Sequence, residues 1–248
     1  MKNFTYIIPF NSSIDDLSNL RKVIKWVNGW NNIQLIVVEH DTNSSKLDII
    51  SEPFKLIYIK PKYGVFNKAW AYNAALRVSD SDIVICGDSN TVTNPENLKK
   101  GIELLKEYDV VKPYSKTIDI VPSQLNDFKL MDKEIDAPVL GETGERPIYL
   151  CTGITIFKKD ALQKMGGWEE KFEMDCFEEF QTYKVKKLSK WFKLDGKAYS
   201  MPSGKPHNDN TVTKDVNTNN QLKVLSDQHF NNYIMSTYNK LGEKNRYE

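Results

Sequence analysis

Short, continuous apolar runs alternate along this chain with stretches in which apolar positions recur every third or fourth residue. The runs at 4–9, 33–38, 56–59 and 82–86 predict strands buried on both faces, as a parallel sheet requires. Between the first two, Leu17, Leu20, Val23, Ile24 and Val27 mark a helix face, and Ser13-Ile14-Asp15-Asp16 reads as its start with Ser13 as cap. An alanine-rich helix is predicted over 66–78. Pro95 opens a third helix running to about 107, and Val110-Val111 begins a fifth strand. The β-α-β-β-α-β order predicts an α/β fold, a mostly parallel central sheet flanked by helices.

The second half is less regular. Residues 114–149 carry Pro122, Pro138, Gly141, Gly144 and Pro147 with few periodic apolar positions. That stretch reads as a long excursion, functional or disordered. A strand over 148–157, interrupted at Thr152-Gly153, precedes a short helix over 158–165 that Gly166-Gly167 stops. Another helix covers 177–188. In the tail, Leu222, Leu225, His229, Tyr233 and Tyr238 fall near helical spacing and predict one amphipathic helix.

Composition narrows the class. The 248 residues are 40% hydrophobic, enough for a sizeable core, and the net charge of +1 gives no electrostatic case for nucleic acid or a membrane surface. No apolar run approaches the ~20 residues of a membrane span. The chain enters its first strand without the apolar stretch of a signal peptide. Cys86, Cys151 and Cys176 are odd in number and lack paired short spacing, which argues against a disulfide framework or zinc knuckle and fits a reducing cytoplasm. Lys184-Val185-Lys186-Lys187 reads as a solvated helix face. Trp26, Trp30 and Trp191 read as structural.

Ligands of parallel sheets bind beyond the carboxyl ends of the strands. Polar residues gather at those ends: Pro9-Phe10-Asn11, Glu39-His40-Asp41 and Asp88-Ser89-Asn90. A loop and helix start, Tyr63-Gly64-Val65-Phe66-Asn67-Lys68-Ala69, precede the last of them. A second block reads Thr152-Gly153-Ile154, then Gly166-Gly167-Trp168, then Phe177-Glu178-Glu179. In this order the blocks resemble GT-A-type glycosyltransferases, especially family 2 and the β-1,4-galactosyltransferases, whose Phe-Asn-Arg-Ala segment matches Phe66-Asn67-Lys68-Ala69. The resemblance covers roughly residues 4–95 and 148–208. It implies a single Rossmann-like GT-A domain over 1–248: a nucleotide-sugar-binding half over about 1–95, an acceptor-side half over 96–208, and a helical extension over 209–248.

The resemblance also implies roles. Asp88-Ser89-Asn90 stands where those families carry Asp-x-Asp, whose oxygens hold a divalent cation against the diphosphate. His207 in its Gly/Pro-framed loop matches their metal-binding histidine and favours Mn²⁺ over Mg²⁺. A UDP-hexose is the implied donor, held near Pro9, Phe10, Asn11, Glu39, Phe66, Lys68 and Asp88. Glu39 would accept the uracil N3–H, or is an ordinary acid after a strand. Phe66 would stack on the base, or is a core aromatic. Gly153 would lie near the donor sugar, and Trp168 would wall the acceptor, or belong to the core. Glu179 matches the general base that takes the acceptor proton, with Glu178 or Asp175 as substitutes. Three positions depart from the pattern: Lys68 for Arg, Asn90 for Asp and Glu179 for Asp. They keep hydrogen-bonding type but change charge or reach, so the expectation is an active, divergent, inverting hexosyltransferase. The alternatives are a non-catalytic sugar-nucleotide or glycan-binding protein and a nucleotidyltransferase. Phe10-Asn11-Ser12-Ser13 lacks the basic Gly-rich loop that the last class carries. The acceptor is open among glycan, lipid-linked sugar, protein and modified nucleic-acid base.

Overall fold

In the computed structural model, which describes residues 4–12, 14–43, 47–60, 66–125, 129–130, 135–136, 148–172, 176–202, 212–238 and 242, the first half follows the predicted order. Strand β1 (Phe4–Phe10), helix α1 (Leu17–Asn28), strands β2 (Ile33–His40) and β3 (Lys55–Ile59), helix α2 (Lys68–Arg77) and strand β4 (Ile83–Cys86) succeed one another. β1 pairs in parallel with β2 and β4, and β2 pairs in parallel with β3. Alternate residues of each strand enter opposite cores. Ile7, Ile36 and Val38 pack with Trp70 and Leu76 of α2, while Tyr6, Ile8 and Val37 pack with Leu20 and Val23 of α1. β3 differs from the continuous burial expected of it, because it is the edge strand and exposes Leu56 and Tyr58.

The cap of α1 also differs. Asp16 is the N-cap, its carboxylate accepting from Ser18 N at 2.7 Å and Asn19 N at 3.2 Å, and Ser13 lies outside the described residues. A carboxylate there satisfies orphan N–H groups and opposes the helix dipole. α2 starts at its cap Asn67, whose Oδ1 accepts from Trp70 N at 2.8 Å.

Beyond β4 the chain adds strand β5 (Thr91–Thr93), helix α3 (Pro95–Leu104), strands β6 (Val110–Lys112) and β7 (Lys116–Asp119), and the short pair β8 (Lys129–Leu130) and β9 (Ile135–Asp136). So the 114–149 stretch contains ordered strand, and much of the rest of it lies outside the described residues. Strand β10 is Thr155–Lys158, shorter than the strand expected over 148–157, because 150–153 form a turn. β10 runs antiparallel to both β4 and β6. Its beginning therefore lies at the same sheet edge as the ends of the parallel strands, which brings the Thr152-Gly153 turn there.

Helices α4 (Lys159–Lys164) and α5 (Phe177–Leu188) follow, then strands β11 (Trp191–Lys193) and β12 (Lys197–Ser200), and helices α6 (Val212–Lys223) and α7 (Asp227–Tyr238). β11 closes the seven-stranded sheet, in the order β11-β6-β10-β4-β1-β2-β3. A second sheet, β5-β12-β7, stands beside it and was not foreseen from the pattern. The tail is two helices rather than one, broken around Val224-Leu225-Ser226. The buried apolar positions described there are Leu222, Phe230 and Ile234, while His229 is exposed.

One lysine expectation is corrected. Lys184 is fully buried, its ammonium donating to Met165 O at 3.2 Å and Gly167 O at 2.6 Å. It satisfies carbonyls of the Gly166-Gly167 turn, where both glycines adopt positive φ. Burial draws its pKa down to about 8. Trp26 is buried, Trp191 is 38% exposed within the edge strand β11, and neither lines the cavity described below.

Candidate active site

The carboxyl edge of the parallel strands, the start of β10 and the opening of α5 converge around a cavity of about 960 Å³. That is the size range of small-molecule sites. Pro9 from β1, Asp88, Ser89 and Asn90 after β4, and Phe66 and Lys68 at the start of α2 form one wall. Gly153, Cys176, Glu178 and Glu179 form another. The second sheet contributes Asp119, Ser200 and Met201.

Lys68 joins the two walls. Its ammonium is 2.5 Å from Asp88 Oδ1 and 3.4 Å from Glu178 Oε1, and the side chain is one-fifth exposed. Burial pulls its pKa down, but Asp88 and Glu178 outweigh that and hold it above the ordinary lysine value. Burial pushes Glu178 up, opposed by Lys68 and reinforced by Asp88. Asp88 also accepts from Tyr72 Oη at 3.3 Å. Glu179 lies on the opening turn of α5 and pairs with Lys223 at the end of α6. Acids in that turn are favoured by the helix dipole. The chain enters α5 through Cys176 in the left-handed region, φ 60°.

The two sequence blocks are laced together from behind the cavity. Asn67 Nδ2 donates to Glu170 O at 2.8 Å. Asn73 Nδ2 donates to Trp168 O and to Glu170 Oε1, both at 2.8 Å, and its Oδ1 accepts from Trp168 N at 2.9 Å. Asn67 N in turn donates to His40 Nδ1 at 2.9 Å. That acceptor role requires the neutral ring, and burial holds the His40 pKa at about 4.

Several expected site residues are elsewhere. Trp168 is 1% exposed and stacks on Tyr72 with ring centroids 4.6 Å apart, so it supports the site from the core instead of walling the acceptor. Glu39 is fully buried at the end of β2 and is not part of the cavity wall. Phe10 packs in the core beneath α1, and Asn11 donates its amide to His40 O at 2.6 Å; neither lines the cavity. His40 is the last residue of β2 and is buried. Asp175 and His207 lie outside the described residues.

Sequence reasoning missed Asp15. It lines the cavity beside Ser89, accepting from Ser89 Oγ at 2.7 Å and from Asn11 N at 2.8 Å. Burial raises its pKa against those two bonds. Nothing in the pattern separated it from Asp16, which reads equally as a helix-start acid. Met201 also lines the cavity, and its backbone bonds Asn90 twice, N–H to Asn90 O at 2.8 Å and carbonyl from Asn90 Nδ2 at 2.9 Å.

Charge decides what the cavity accepts. Among the described lining residues, Asp15, Asp88, Asp119, Glu178 and Glu179 face one ammonium, Lys68. A nucleoside diphosphate entering that surplus is repelled unless a cation comes with it. The available donors, the Asp88 carboxylate and the Asn90 carbonyl, are hard oxygens and fit a divalent cation of the Mg²⁺ or Mn²⁺ type. Among the described residues no three His, Cys, Asp or Glu side chains gather as a complete metal site.

The sequence profile of glycosyl transferase family 2 matches residues 7–166. Comparison with curated proteins finds no match. Among solved structures, TarS of S. aureus aligns with a TM-score of 0.60 at 15% identity, over 95% of this chain and 42% of TarS. A structure of TarS 1–349 in complex with UDP-GlcNAc gives 0.60 at 15% identity, over 95% of this chain and 71% of that one. The complex of TarS 1–349 with UDP gives 0.58 at 16%, over 96% and 71%. This chain thus spans less than half of the longest of these neighbours. At such identities the likeness is one of fold.

Proposed function

The chain belongs to glycosyl transferase family 2 and has the GT-A fold, and from that premise we propose that it moves a hexose from a UDP-sugar to an acceptor hydroxyl with inversion. The observation that carries this reading is Lys68 between Asp88 and Glu178 on the wall of one cavity. A cation at that point meets the diphosphate on one side and faces the transfer acids on the other. The likeness to TarS, whose structures hold UDP-GlcNAc and UDP, supports the choice of uridine. Pro9, Phe66 and Ser89 would line the nucleotide, and Gly153, which has no side chain, would admit the sugar.

The residue roles follow from chemistry. Glu179 takes the proton of the acceptor hydroxyl as its oxygen bonds to the anomeric carbon. The bond from that carbon to the β-phosphate oxygen breaks, and its electrons leave with UDP. One displacement from the face opposite the leaving group inverts the centre. Lys68 stabilises charge growing on the diphosphate. Asp88, Asn90 and His207 would hold a divalent cation, Mn²⁺ ahead of Mg²⁺, which when bound neutralises the leaving group. Lys223 pairs with Glu179 and would aim it. The acceptor stays within the classes already named. No helix among the described residues is long and apolar enough to cross a membrane. The free thiols of Cys86, Cys151 and Cys176 support work in a reducing cytoplasm.

A thermal-shift panel of UDP-, GDP-, CMP- and dTDP-sugars with and without Mn²⁺ tests the reading. Stabilisation by UDP-sugars above the others is the expected result. No response to any uridine nucleotide counts against it.

A further inference from the structure

Lys112, the last residue of β6, has no exposed surface. Fully buried lysines are rare unless paired. Among the described residues this one reaches no carboxylate within hydrogen-bond distance. Its ammonium donates instead to Tyr114 Oη at 3.0 Å and to the carbonyl of Thr152. Tyr114 Oη also accepts from Ile154 N at 2.8 Å and lies 3.2 Å from Thr152 O. Between those two bonded residues stands Gly153 at φ +66°, on the cavity wall. A Cβ there would come within 2.3 Å of Tyr114 Oη. The turn is therefore clamped from beneath by one ammonium and one phenol, and nothing in the proposed chemistry uses either.

We propose that Lys112 is a positioning residue of the transfer site, holding the Thr152-Gly153-Ile154 turn where that turn meets the donor sugar. The inference rests on the donor reading above. A charged ammonium grips a carbonyl more strongly than a neutral amine does, so the proton on Lys112 sets how firmly the turn is held. The groups around it are Tyr114 on its own strand end, Cys151 before β10, Glu178 on α5, Asp88 after β4 and Lys193 on β11. Burial brings Lys112 down to about 7, with Cys151, Glu178 and Asp88 opposing and Lys193 reinforcing. The clamp is tight below neutrality and loosens as pH rises through it. Lys184 serves as the control, since it is equally buried but holds the Gly166-Gly167 turn away from the cavity.

The test compares wild type, Lys112→Met and Lys184→Met. Backbone amide shifts of Gly153 and Ile154 are followed by NMR from pH 5.5 to 9, a window of roughly two units about neutrality. They should titrate near neutrality in wild type and in Lys184→Met, and stay flat in Lys112→Met. In parallel, hydrolysis of UDP-glucose and UDP-N-acetylglucosamine by water should fall about tenfold or more in Lys112→Met, from misplacement of the turn. UDP affinity should stay within about threefold, because the turn faces the sugar. Should Lys112→Met fail to fold, Tyr114→Phe, which removes the bonds to Thr152 O and Ile154 N but leaves the ammonium, carries the hydrolysis and UDP-affinity readouts. Amide titration that persists without Lys112, or is absent from wild type, overturns the proposal, as does unchanged hydrolysis in Lys112→Met or, where that variant does not fold, in Tyr114→Phe. A wild-type chain that fails to bind UDP overturns the donor reading first, and this inference with it.

Discussion

Asn73 is the side chain whose loss should cost most for its size. It is 1% exposed and makes three bonds to the Gly-Gly-Trp block, two to the backbone of Trp168 and one to Glu170 Oε1. Asn73→Ala leaves the Trp168 N–H and C=O without these partners in a region closed to water. Each such buried group costs ~1–3 kcal/mol. Allowing for partial relaxation, the expected loss is about 3–5 kcal/mol, a large share of the ~5–15 kcal/mol that holds a typical domain. Asn73→Asp is the sharper variant. It keeps the acceptor for Trp168 N–H but loses both donors and sets a carboxylate against Glu170. It should cost as much as alanine at pH 7, and less near pH 5 as the two acids come to share a proton. Urea unfolding of the three proteins at both pH values reads the effect. The reasoning fails if Asn73→Ala unfolds within about 1 kcal/mol of wild type with an unchanged slope.

Three further outcomes are expected. Glu179→Gln should lower transfer ~10²–10⁴-fold with UDP affinity intact; near-normal turnover would move the role to Glu178 or Asp175, and lost UDP binding would make Glu179 structural. Asn90→Asp should tighten Mn²⁺ binding by restoring a carboxylate beside Asp88, and titration calorimetry showing no change would break the Asp-x-Asp analogy. His40, held at about 4 against an ordinary 6.5, contributes stability that is full above pH 6.5 and drains away as pH falls toward 4. That contribution is at most ~3.5 kcal/mol, so His40→Gln, which keeps an acceptor for Asn67 N–H, should lose less stability between pH 7 and pH 5 than wild type does. Equal losses would refute it.

What could be read from the sequence was local. α5 was legible because acids after a Gly-Gly break open a run of helical periodicity, and Phe177–Leu188 is what forms. β1, β2 and β4 were legible because strands buried on both faces carry unbroken apolar runs. Strand direction leaves no such trace, so antiparallel β10, which brings Gly153 to the cavity, could not be read. The β5-β12-β7 sheet joins segments too short and too far apart in sequence to carry a period of their own. Residue chemistry misled where burial overrode type. Trp168 and Glu39 each carried two readings, ligand contact or not, and both are enclosed, while Lys184 read as solvated and is a buried clamp. Lys68, Asp88, Ser89, Gly153, Glu178 and Glu179 do meet at one cavity, since the order of the motif blocks encodes which strand ends they follow.

The central claim is that a uridine diphosphate donor is held by Lys68 beside Asp88. Titration calorimetry of UDP into wild type and Lys68→Met, each with Mn²⁺ and with chelator, tests it most directly. Wild type should bind UDP with Mn²⁺ present, and Lys68→Met should bind it about tenfold or more weakly, the loss expected for a charge-assisted bond to phosphate. Failure of wild type to bind UDP, or equal affinity in the two proteins, would contradict it.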